Sequence, residues 1–73
     1  MELRLDGIAL TPQILVQFNE IQKKHAENPF SIVALGEGNT HNKRQIFEGA
    51  TISFSIEEID SVIDLLNLVK TLG

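Results

Sequence analysis

Residues 44 to 58 read RQIFEGATISFSIEE, and whether they form one strand or two decides the fold. Arg44, Ile46, Ala50, Ile52, Phe54 and Ile56 share even positions, while Gln45, Thr51, Ser53 and Ser55 occupy odd ones. That is the two-residue period of a half-buried strand. Phe47 and Glu48 each stand on the wrong side of it. Because the phase survives Gly49, the pattern predicts one long strand bent at that glycine; a hairpin turning at Glu48-Gly49-Ala50 is the alternative. On the single-strand reading Phe47 is exposed on the polar side. Ser55 followed three residues later by Glu58 is a capping box, so a helix begins there and runs nearly to Gly73.

Upstream, FSIVAL (residues 30 to 35) is a short apolar run between a proline and a glycine, with the length of a strand. Thr11-Pro12 resembles a helix N-cap with proline in the first helical position. Beyond it Ile14, Phe18, Ile21 and His25 fall on one helical line flanked by Leu15 and Ala26, and Asn28-Pro29 ends the helix. At the amino terminus Leu3 and Leu5, then Ile8 and Leu10, alternate with polar residues, with a phase change at Asp6-Gly7. Either a tight Asp-Gly hairpin or one strand broken by a bulge fits. The order β-α-β-β-α, with the first β element possibly a hairpin, predicts an α+β two-layer domain over residues 1–73. Its sheet is antiparallel or mixed and carries both helices.

A chain of 73 residues sits near the size at which one core leaves little stability margin. With no cysteine, disulfides cannot supplement that core, which favours association between copies. Ten acids against six bases give a net charge of −4, which argues against direct nucleic-acid binding because phosphate neutralisation needs clustered cations. The amino terminus lacks the pattern of a secretory signal and no stretch approaches transmembrane length, so a cytoplasmic location without membrane contact is expected.

The polar run GEGNTHNKRQ, residues 36 to 45, invites comparison with a phosphate cradle. Such a cradle needs converging amides and a following helix N-terminus. Here a strand follows, and Glu37 places a negative charge inside the loop. A reversal between antiparallel strands explains the same composition. If the 36–44 loop did bind a phosphate or small-molecule ligand, His41, Lys43 and Arg44 would supply the contacts.

Neither of the two histidines lies in a recognisable catalytic constellation, and His25 is expected as a half-buried helix-end residue facing free carbonyls. Glu57, Asp60 and Asp64 form an acidic stripe along one helix rather than a facing pair of carboxyls. No enzymatic activity, metal or cofactor is expected.

The last helix carries the functional signal. Ile56, Ile59, Val62, Ile63, Leu66 and Val69 form the expected core face, and Leu65, Leu68 and Leu72 extend it to an arc of about 240°. Only a strip of Glu57, Asp60, Asp64, Asn67 and Thr71 remains polar. Three exposed leucines would each forgo about 1.5–3 kcal/mol of burial. Either the first helix covers them or a second copy does, and the shortness of the chain favours the second copy. The expected function is a small acidic, non-catalytic interaction module, homodimeric through Leu65, Leu68 and Leu72 with Phe47 as a secondary contact. Its acidic stripe would face a basic protein partner that it regulates or inhibits.

Overall fold

The computed structural model describes residues 1–36, 38–41 and 44–72, with 39–41, 44 and 45 as backbone. Strand β1 spans Glu2–Leu10, helix α1 Pro12–Lys24, strands β2, β3 and β4 Ser31–Leu35, Gly38–His41 and Arg44–Ser53, and helix α2 Ile59–Leu72. A single 3-10 turn, Ile56–Glu58, leads into α2. The α+β architecture expected from the periodicities is therefore present.

All strand pairings are antiparallel, in the order β1-β4-β2, with β3 also paired to β4. β1 and β2 thus run parallel to each other on either side of β4, with α1 as the crossover between them. β4 is one strand, as expected, although its inward parity does not persist through Gly49. The glycine-rich run is not a loop of several residues. Gly38 to His41 pair with Phe47 to Arg44, so the reversal takes place between His41 and Arg44. Its polar composition hid a strand because glycine, asparagine and threonine show no apolar alternation.

The first strand is also unbroken, but its register with β4 shifts between Leu5 and Ala9. Leu5 pairs with Ala50 and Leu10 with Phe47, so Asp6, Gly7 and Ile8 stand opposite the single residue Gly49. Gly7 and Gly49 both adopt positive φ, 74° and 98°. Left-handed backbone is easy for glycine alone. At Gly49 there is a second demand: a Cβ would lie 1.9 Å from the Leu5 carbonyl oxygen. Both strands change phase together at this level, so Leu3 and Leu5 face the core before the bulge and Ile8 and Leu10 after it.

The same phase change corrects the reading of Phe47. Past Gly49 the inward positions of β4 become odd-numbered, and Phe47 is half-buried against the core, opposite the fully buried Leu10. Its ring lies 3.2 Å from where a Cβ on Gly38 would sit. Phe47 therefore covers the bare backbone of the neighbouring strand rather than standing free on a polar surface.

The helices close the core from one side. α1 begins as expected, with the Thr11 hydroxyl accepting from the Ile14 N–H at 3.4 Å. It contributes the fully buried Phe18, with Ile14, Leu15 and Ile21 packed around it. At the α2 end the Ser55 N–H donates to the Glu58 carboxylate at 2.6 Å, the expected capping contact, although the first turn winds as a 3-10 helix and regular α geometry starts at Ile59. Leu5, Leu10, Ala50 and Ile52 from the sheet meet Phe18, Phe30, Val62 and Leu65 in the core.

Candidate functional site

The orientation of α2 determines which of its apolar residues remain available. Asp64 accepts from the His25 Nε2–H at 2.6 Å and from the Lys24 ammonium at 3.2 Å. Both partners sit at the carboxyl end of α1, so the Asp64 flank of α2 faces α1. His25 and Lys24 hold the Asp64 carboxyl below its ordinary pKa, the histidine hydrogen bond contributing most. Deeper in, Ser61 is fully buried. Its hydroxyl accepts from the Phe30 N–H at 2.9 Å and donates to the Glu58 carbonyl at 2.6 Å. Ser61 thereby fastens the entrance of β2 to the first turn of α2.

With these contacts fixed, the buried side of α2 is rotated from the sequence expectation: Val62 is in the core and Ile59 and Val69 are half-buried as expected, but the other members of that row are not. Leu65 is 0% exposed and belongs to the core. Leu68 is half-buried against it, and of the three leucines expected at an interface only Leu72 is exposed, at 38%. The residues left in solvent are Ile56 at 67%, Ile63 at 49% and Leu66 at 41%, all of which had been expected in the core. An apolar arc of this width must expose one of its sides. Which side follows from the His25–Asp64 contact across 39 residues, and no local pattern carries that information.

The acidic stripe is also divided. Asp64 is engaged within the molecule, while Glu57 and Asp60 are exposed and line a groove of about 400 Å³ with Lys24, His25, Ala26, Glu27 and Asn28. No serine, threonine or cysteine is among those residues, so the His25–Asp64 pair has no nucleophile beside it there. His25 is half-buried as expected, but its partner is a carboxylate, not a helix-end carbonyl. Among the described residues no group of three or more His, Cys, Asp or Glu could hold a metal ion. No described helix is long and apolar enough to cross a membrane. Of the suggested anion-binding residues, Lys43 lies outside the described residues, as do the side chains of His41 and Arg44.

Two further apolar side chains are exposed on β2, Val33 at 57% and Leu35 at 38%. Val33 has no counterpart on β4, because the β2–β4 register shifts between Ile32 and Ala34. FSIVAL is a strand from Ser31, as its length predicts, and the bulge is where part of its apolar run turns out. No family model, curated protein or solved structure matches this chain.

Proposed function

We infer that this chain is a small, non-catalytic interaction module that associates with itself through the outer side of α2. The supporting observation is a patch of exposed apolar side chains, Ile56 in the 3-10 turn with Ile63 and Leu66 on α2, beside a face of the helix whose Ser61, Val62 and Leu65 are already buried. Contiguous exposed apolar surface on a small domain marks an interaction site. A homodimer would bury that patch without any change to the fold. Glu57 and Asp60, beside the groove, are the acidic residues left to meet a basic protein partner, whose activity the module would regulate.

Sedimentation velocity over a concentration series tests this reading. The mass should rise from monomer to dimer, and the double substitution Ile63→Glu, Leu66→Glu should hold it at monomer with an unchanged circular dichroism spectrum. A wild-type chain that stays monomeric at every concentration would overturn the reading.

A further inference from the structure

We propose that the two copies join edge to edge, β2 pairing antiparallel with β2 of the second copy across a two-fold axis, so that one continuous sheet carries both α2 helices side by side. This rests on the self-association inferred above and names the surface that performs it.

The two free edges of the sheet differ. Both carry a bulge, but β1, ELRLDGIAL, also carries Glu2, Arg4 and Asp6, charges that discourage a strand from adding neighbours. β2, SIVAL, has no charged residue. Its only irregularity is at Val33, which presents an apolar side chain at 57% exposure. An edge of this kind leaves main-chain donors and acceptors that another strand satisfies.

The exposed side of α2 is the one turned from α1. α1 packs against β1 and meets α2 at Asp64, which leaves the opposite flank of α2 toward the β2 side of the sheet. At about 100° per residue, Leu66 lies about 160° round the helix from Asp64, with Ile59 and Ile63 beside it and Lys70 below. The Phe30–Ser61 hydrogen bond holds the start of β2 beneath the start of α2.

Charge favours a second copy as the occupant. Two chains of net charge −4 repel unless their acids are kept apart. Asp60 and Asp64 occupy the α1 side of α2, where Lys24 and His25 stand. The flank formed by Ile59, Ile63, Leu66 and Lys70, together with β2, has no acid to meet its own image. A two-fold axis makes a strand meet itself antiparallel, and the strand and helix on one copy then face the same pair on the other.

The test combines sedimentation with amide hydrogen exchange of Ser31 to Leu35 at concentrations above and below the dimer midpoint, using wild type and Val33→Lys. The expected results are slower β2 exchange in the dimer, and at least a tenfold weaker dimer for Val33→Lys with an unchanged far-ultraviolet spectrum. A dimer whose β2 amides exchange equally fast at both concentrations, and which Val33→Lys leaves intact, overturns the strand pairing while self-association through α2 stands. A monomer at all concentrations overturns both.

Discussion

Replacing Gly49 with alanine should be far more damaging than the same change at Gly7, although both glycines have positive φ. The backbone strain is comparable, about 1–2 kcal/mol for a non-glycine residue in the left-handed region. At Gly7 nothing lies within 4 Å of the added methyl, so strain is the whole cost. At Gly49 the methyl would sit 1.9 Å from the Leu5 carbonyl oxygen and 3.0 Å from its carbon. Those are backbone atoms of a paired strand, and moving them adds about 1–3 kcal/mol, the range for overpacking. Alanine also restricts the unfolded chain, offsetting about 0.4–1 kcal/mol at either site.

The net expectation is about 1–4.5 kcal/mol lost for Gly49→Ala and about 0–1.5 kcal/mol for Gly7→Ala. At roughly 4–8 °C per kcal/mol for a domain of this length, the first lowers Tm by about 5–35 °C. Urea unfolding should be followed by circular dichroism, because the chain has neither tryptophan nor tyrosine. All variants must be compared at one protein concentration, since association adds stability by mass action. Equal midpoint shifts for the two variants would refute the close approach of β1 to Gly49, and with it the coupled bulge.

Ser61→Ala should lose about 1–3 kcal/mol in the same assay, because it leaves the buried Phe30 N–H without a partner. Leu65→Ala should cost about 2–5 kcal/mol of stability, while Leu66→Ala stays within about 0.5 kcal/mol below the association range and weakens the dimer instead. The Asp64 carboxyl, lowered in the folded state, contributes stability that is complete above its unfolded value of 3.8 and is lost as pH falls through the folded one. Acid unfolding below about pH 4 should therefore be shallower for Asp64→Asn than for wild type, with the two converging at the acid end.

Much of the architecture was legible because strands and helices write different periods. Thr11-Pro12 and Ser55 with Glu58 marked both helix starts, and the even-numbered residues of 44 to 54 marked β4 as one strand. The errors share a cause. Unbroken parity across Gly49 places Phe47 outward, whereas the close approach of Gly49 to Leu5, distant in sequence, reverses the phase. A 240° arc on α2 offers two possible inward faces, and the choice that turns Ile63 and Leu66 out belongs to the His25, Lys24 and Asp64 cluster joining α1 to α2. Ser61 left no trace in the pattern, since a small polar residue in a buried row looks like a gap until its partner, the Phe30 amide, is known.

Every ladder in the sheet includes β4. A ribosome-bound chain that has not yet extended past residue 44 can therefore wind α1 but has no strand with which to pair either β1 or β2. The β2–β4 and β3–β4 pairings become possible only when Arg44 to Ser53 emerge, and β1 must then find its register across roughly fifty residues of chain. Assembly of this sheet is deferred until residues 44 to 53 have emerged, and until then the apolar strands on either side of the missing one are exposed to chaperones and to one another.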